Sequence, residues 1–368
     1  MHIDYILILI NQNITVMNVS YQLNSSPITN QITSQASISY LFGMLLCGLT
    51  DQTLMEVCTA LGFDIDNKEK MVQQIAQSYS SLNSIGPVKI RNLILSKLDC
   101  KQSFIDKISA FGSYEQIPNT LNTTDLTTKI NDTVNTNTKG MIKKVVDESE
   151  VDGLVLMLLN TIYFYSEWQT KFTKSNTQRD LFHGLAGQRN EQMMNHYRKQ
   201  FKYRESTTFK VLQMPYENPN FSFVVVLPNE KTAQPLQPTP NELINMLSIV
   251  VSVKVNVMLP KFTQETEINL IPVLQKMGVN KLFTEADTGD MLNDDTDTRT
   301  KVFVSVLKQK AKIIVDEDGT EASAVTFAGM KCKSMAPRAE TVHDFIADHP
   351  FSYYILCNNI VLFEGTYV

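Results

Sequence analysis

The stretch "DEDGTEASAVTFAGMKCKSMAPRAE", Asp316 to Glu340, follows a β-rich run, "KVFVSVLKQKAKIIV", that stops at an acidic turn. It continues for over twenty residues with no helix or hairpin signal of its own. Read with a period of two, one face carries Thr320, Ala322, Ala324, Thr326, Ala328, Met330 and Cys332. The other carries Glu321, Ser323, Val325, Phe327, Gly329, Lys331 and Lys333. A small, mostly apolar face lets a strand slide between two existing strands without the overpacking cost of ~1–3 kcal/mol that large side chains would bring. The charged face suits solvent. The segment therefore reads as a strand that can be buried on one side and is not yet in a sheet.

Outward from this stretch, the first third of the chain is helical in pattern. "SISYLFGMLLCGLTDQTLMEVCTALGF" is apolar all round in its first half and breaks at Gly48, as a buried helix, a short turn and a second helix would. From "GLVLMLLNTIYFY" the texture changes to a continuous apolar run, the mark of a strand buried on both faces. "FKVLQMPYE" and "FSFVVVLPNE" read as paired strands across a Pro/Asn turn, and "VSVKVNVMLPKF" alternates as a half-buried strand does. "INLIPVLQKMGVNKLF" reads as a helix ended by Gly278, before the final strands "FSYYILC" and "NIVLFEGTYV". Helices first and sheet later predict an α+β fold with large, mostly antiparallel sheets.

The chain has 368 residues, 43% of them hydrophobic, enough for a large core, and no linker divides it. A net charge of −5 with no basic block removes the electrostatic footprint of a nucleic-acid binder. "YILILI" falls far short of the roughly 20 residues a bilayer needs and lacks the flanks of a signal peptide. Five cysteines, Cys47, Cys58, Cys100, Cys332 and Cys357, form an odd set without a CxxC pair, so free thiols and a reducing, cytoplasmic setting are expected, with release by another route left open. The Asn-x-Ser/Thr sites at Asn24, Asn122 and Asn131 arise easily in a chain this rich in Asn and Thr.

Enzyme signatures are thin: the chain has no G-x-S-x-G elbow, H-E-x-x-H, P-loop or dinucleotide-binding glycine pattern. "HDFIADH", His343 to His349, brings two His and two Asp together, but a surface turn before Pro350 accounts for them without a metal. Ser34 and Ser37 in "SQASISY" suit a helix start, where hydroxyls satisfy unpaired backbone N–H groups, better than nucleophilic catalysis. Asn160, inside an apolar run, must find partners if buried, and reads as a structural hydrogen-bonding hub.

With these residues in place, the chain resembles the serpins over nearly its whole length. "VDEDGTEASAV" is similar to the family's hinge, and "LMLLNTIYFYSEWQTKF" to its strand with Asn160, Trp168 and Phe172. "INDTVNTNTKGMIKKVV", "LPKF" with "LQKMGVNKLFTEADTGDM", and "FIADHPFSYYILCNNIVLFEG" follow the family's order. The resemblance implies a single domain, residues 1–368, of three mostly antiparallel β-sheets and about nine helices, with an exposed reactive-centre loop at about 317–342.

It also implies a serine protease inhibitor that acts as a suicide substrate. Hinge residues would be Glu317, Gly319, Thr320, Glu321, Ala322, Ser323 and Ala324, all small or tolerated where a strand must enter, with no Pro before Pro337. The family's spacing puts the scissile bond at Lys333–Ser334, with Lys331, Met330, Met335 and Arg338 as register alternatives. A Lys there suits a protease whose specificity pocket holds an acid, so a trypsin-like enzyme, or one of mixed basic and aromatic preference, is the expected partner. Cys332 reads as a small subsite residue, or as a thiol activated by the lysines beside it.

Ser34, Ser37, Asn160 and Gln309 match the family's shutter, and Trp168, Lys261 and Glu317 its breach. Gln35 stands where a Pro is usual and Gln309 where many members have a His, which weakens the case for a pH-sensitive shutter. No cofactor, metal, nucleic acid or membrane enters this expectation, and a monomer is expected. The alternatives are a non-inhibitory serpin-fold binding or chaperone protein, an inhibitor of a cysteine protease and, remotely, a hydrolase using His343 and His349.

Overall fold

The computed structural model describes residues 28–118, 120–137, 140, 142–293, 302–320 and 341–368. Among these are eight α-helices and two hydrogen-bonded strand networks, a mixed α+β architecture. The expected third sheet is absorbed into the larger network for a simple reason. Gly187–Glu205 is one 19-residue strand that pairs with Gln178–Gly184 early, with Val251–Pro260 along its second half and with Phe209–Pro215 at its end. A strand shared in this way joins what would otherwise count as separate sheets.

Backbone contacts divide the chain into two compact units, each built from non-consecutive segments. One comprises Thr33–Tyr163 and Glu265–Ala311. Its helix Gln35–Leu46 is buried at every residue but the first, as an all-round apolar pattern requires, and it starts where Ser34 accepts from the Ser37 N–H. The following helix, Asp51–Leu61, ends at Gly62 in the left-handed conformation (φ 66°) that glycine adopts without strain. The strand order Ser113–Gln116, Val88–Ser96, Leu156–Phe164, Val304–Val315 carries the continuous apolar run in its interior.

Val145 and Val146, between the helix Thr123–Asn137 and the short helix Glu148–Val151, and Val151 at the end of the latter share a core cluster with Met157, Leu159 and Val306. Asn131 holds the segment between the two helices: its Oδ1 accepts from the Val145 and Val146 N–H groups (2.7 and 3.2 Å) and its Nδ2 donates to the Val146 carbonyl. Lys308, only 7% exposed, reaches Glu150, Glu267 and the Val145 carbonyl from below. The predicted helix around Gly278 is shorter than its pattern: the chain stays in a strand to Asn269, and only Ile271–Lys276 is α-helical before Gly278 turns at φ 95°.

The other unit comprises residues 28–32, 164–264 and 312–368. Its sheet runs from Gln31–Thr33 through Ile360–Tyr367, Phe351–Cys357, Phe221–Pro228, Phe209–Pro215, Gly187–Glu205 and Val251–Pro260 to Val342–Ile346. The two strands read as paired across a Pro/Asn turn are antiparallel neighbours with Phe209 opposite Pro228. Every residue of Phe221–Pro228 and of Phe351–Cys357 is buried, so these neighbours form the centre of the core. The helix Pro240–Ser248 covers them through Leu243, Ile244 and Leu247.

Candidate functional site: a hinge platform and a buried polar network

The hinge begins where Val304–Val315 ends. Asp316 closes the acidic turn: its N–H donates to the Gly319 carbonyl, and its Oδ1 accepts from the Asp318 and Gly319 N–H groups. Three consecutive carbonyls of this turn are held by one segment. Trp168 donates its indole N–H to Asp316 O (2.8 Å) and its backbone N–H to Asp318 O, while the Phe172 N–H goes to Glu317 O. Trp168 keeps that position by stacking on Tyr216, with ring centroids 4.6 Å apart and planes 7° from parallel.

Side chains add a second layer. Lys261 Nζ lies 2.7 Å from Glu317 Oε2, the Thr177 hydroxyl donates to Glu317 Oε1, and Lys174 pairs with Asp318. Burial pushes the Glu317 carboxyl up, but the Lys261 ammonium and the Thr177 hydroxyl outweigh it, and the net pKa lies below the ordinary value.

The first residues of the segment that the resemblance implies to be exposed are held in place. An exposed segment is expected from about 317, yet Glu317 is 5% exposed and Thr320 fully buried, and Gly319–Thr320 is already a strand. Gly319 faces Glu167, and Thr320 pairs with Ser166 on one side and Val315 on the other. The trapped carbonyls and Gly319 are the reason. A Cβ at Gly319 would sit 2.3 Å from the Ser166 carbonyl oxygen, so only glycine permits this approach. Glu321, Ala322, Ser323, Ala324, Cys332, Lys333 and Ser334 lie outside the described residues.

His196 carried no signal in the sequence but supports the platform from behind. Its ring stacks on Phe172 (centroids 3.9 Å apart) and its Nε2 is 3.1 Å from the Thr170 carbonyl. Burial pushes its pKa down to about 4. Both titrations then share a sign. The neutral imidazole stabilises the fold fully above its unfolded value of 6.5 and loses that contribution as pH falls towards 4. Glu317 contributes fully above 4.5 and loses its contribution as pH falls through its lowered folded value. Acid is therefore expected to loosen the platform, by up to about 1.4 kcal/mol per pH unit for one group. Denaturant unfolding between pH 7 and 4 should show the loss, and His196→Gln, which keeps a donor but does not titrate, should flatten it. An unchanged slope in that variant would remove His196 from the account.

The polar network lies in the unit that holds Asn160. Asn160, 1% exposed, donates to Asn92 Oδ1 (2.6 Å) and to the Ser37 carbonyl, and accepts at Oδ1 from the Ser37 hydroxyl and from Gln309 Nε2. Gln309, fully buried, also donates to the Ser34 carbonyl and accepts at Oε1 from the Thr33 hydroxyl and the Ser34 N–H. Both hydrogens and both lone pairs of the amide are thereby used, a count that a neutral imidazole with one donor and one acceptor cannot match. Ser34, Ser37, Asn160 and Gln309 are thus brought together, joined by Asn92 and Thr33, which sequence reasoning missed. Ser37 departs from its expected capping role: Ser34 caps the helix, and the Ser37 hydroxyl is left for Asn160. Gln35 is the first helical residue, the position where a proline would also fit.

The histidine cluster is not a surface turn. His349 and Asp348 are buried, with the His349 ring between Asp348 Oδ1 and the Pro228 carbonyl, and Lys231 pairs with Asp348. His343 sits in the strand Val342–Ile346, with its ring 5.1 Å from that of Tyr203. Among the described residues no group of three His, Cys, Asp or Glu side chains is placed to hold a metal. Cys47, Cys58, Cys100 and Cys357 are buried and form no disulfide, and burial pushes Cys47 and Cys58 up to about 11.

Comparison with known proteins places the chain in a family. The profile "Serpin (serine protease inhibitor)" matches residues 11–368. Antichymotrypsin-2 of Bombyx mori is 28% identical over 97% of this chain and 96% of its own length. Antitrypsin of the same organism is also 28% identical, over 97% of this chain and 93% of its own length. Native protease nexin-1, solved with heparin, has the same fold, with a TM-score of 0.82 at 24% identity over 98% of this chain and 99% of that one. The chain belongs to the serpin family.

Proposed function

We propose that this protein inhibits a serine protease by acting as its suicide substrate, as a single-domain monomer needing no cofactor. The observation that carries this is the root of the loop: Gly319–Thr320 is already strand-paired, and it continues into the small alternating face from Thr320 to Cys332. Loop insertion after cleavage is the established behaviour of inhibitory family members, a case of strand addition. The residues here meet its physical requirements. The protease becomes acylated at the cut bond. The freed arm from Thr320 to Lys333 spans about 45 Å when extended and carries the enzyme with it. About a dozen new ladder bonds at ~1 kcal/mol each match the ~5–15 kcal/mol that holds a protease in its active shape. With its oxyanion hole deformed, deacylation stalls.

The two Bombyx mori relatives are equally similar and carry names that point to different targets, so overall similarity does not select a target and the proposal rests on the loop residues. Lys333 at the cut favours a protease with an acidic specificity pocket. Incubation with trypsin should give a covalent complex that survives denaturing electrophoresis and release a peptide that starts at Ser334. Clean cleavage with no such complex would refute inhibition, and a peptide starting elsewhere would refute the register. Lys333→Ala should slow complex formation with trypsin by at least tenfold.

A further inference from the structure

We propose that a hydroxyl pair, Tyr216 with Thr320, keeps the first residue of the loop seated in the sheet before any protease arrives, which makes Tyr216 a positioning residue for insertion. The two oxygens are 2.7 Å apart and both residues are fully buried. Thr320 is the last described residue of the strand that begins at Gly319, where it pairs with Val315 on one side and Ser166 on the other. Its hydroxyl has left water, so its seat depends on a partner inside the core, and Tyr216 supplies one. Tyr216 cannot swing away. Its ring lies flat on Trp168 and 4.8 Å from the Phe164 ring, its backbone is bridged to Trp168, and its N–H donates to the Phe221 carbonyl. Trp168 in turn holds the carbonyls of Asp316 and Asp318, so one stacked pair fixes both the turn and the residue that follows it.

The consequence is kinetic and rests on the inhibitor reading above. After acylation, insertion competes with deacylation. A root already paired to Ser166 and Val315 has met the cost of ordering the first contact, so the arm adds residues to an existing strand instead of searching for its start. Removing one hydroxyl leaves the other buried and unpaired, which should open the root about tenfold more often. Removing both leaves no hydroxyl buried and unpaired, so the double variant should open less than the sum of the singles.

The test uses Tyr216→Phe, Thr320→Val and the double variant in the full chain. Hydrogen exchange at residues 316–320 of the intact protein, with no protease present, should speed up about tenfold in each single variant and by less than the sum of the two effects in the double. The molar ratio of inhibitor consumed per trypsin trapped should follow the same order, rising several-fold in the singles and by less than their combined effect in the double. Singles with wild-type exchange, or a double variant as open as the sum of the singles, would overturn the proposal. If exchange behaves as described but wild type traps no protease, the seat stands and the inhibitory reading falls, so the two failures are distinguishable.

Discussion

On the inhibitory function proposed above, Gly319→Ala is expected to turn the protein from an inhibitor into a substrate. The change adds one carbon, and that carbon would lie 2.3 Å from the Ser166 carbonyl oxygen and 2.6 Å from Glu167 Cα. Both are backbone atoms, so no flexible side chain can yield, and the strand pair Gly319–Glu167 must part instead. The Asp316 contacts to the Gly319 N–H and carbonyl strain with it. Because the fault is confined to the root of the loop, the variant should fold and be cut at the same bond, with the ratio of inhibitor consumed per enzyme trapped raised at least tenfold. Gel quantification against wild type measures it, and an unchanged ratio would mean that the approach at Gly319 has no bearing on insertion.

The second large effect is expected at Asn160. Replacing it with Leu fills similar space but removes two donors and an acceptor from a site buried from solvent. Gln309 Nε2, Asn92 Oδ1 and the Ser37 hydroxyl and carbonyl each lose a partner. Single unsatisfied groups cost about 1–3 kcal/mol, and in a shared network the losses are not additive, so about 3–5 kcal/mol is expected overall. Urea unfolding reads this directly, and a loss below about 1 kcal/mol would show that the network rearranges freely. The loss should not vary with pH between 5 and 8, because none of Thr33, Ser34, Ser37, Asn92, Asn160 and Gln309 titrates there. The acid sensitivity expected of the hinge platform is thus absent from this network, and His196 and Gln309 are the residues that separate the two.

The legible part of the fold was the part written in local spacing. The helix Gln35–Leu46, the doubly buried strand Leu156–Phe164 and the pair Phe209–Pro215 with Phe221–Pro228 follow from period and turn chemistry between near neighbours. Asn160 was legible as a residue in need of partners, because an amide carried into the core by an apolar strand must be hydrogen-bonded there. Its partners were not. Asn92 lies 68 residues away and Gln309 149, and nothing in the spacing of either points to it. His196 was hidden for the same reason: a lone histidine on a strand looks alike whether its ring meets water or Phe172.

By itself, then, the chain determined the class of fold, the small alternating face after Thr320 and the ordered motifs that mark the family, since these depend on residue type and short-range period. Tertiary structure decided the setting of Glu317 to Thr320. The resemblance to the serpins implies that Glu317 to Thr320 open an exposed segment. Glu317, Gly319 and Thr320 are buried because Trp168, Phe172 and Tyr216 come from elsewhere in the chain to meet three carbonyls and a hydroxyl, and because Ser166 approaches a glycine more closely than any side chain would allow. Long-range hydrogen bonds and one missing Cβ fix that setting, and neither has a signature in local periodicity.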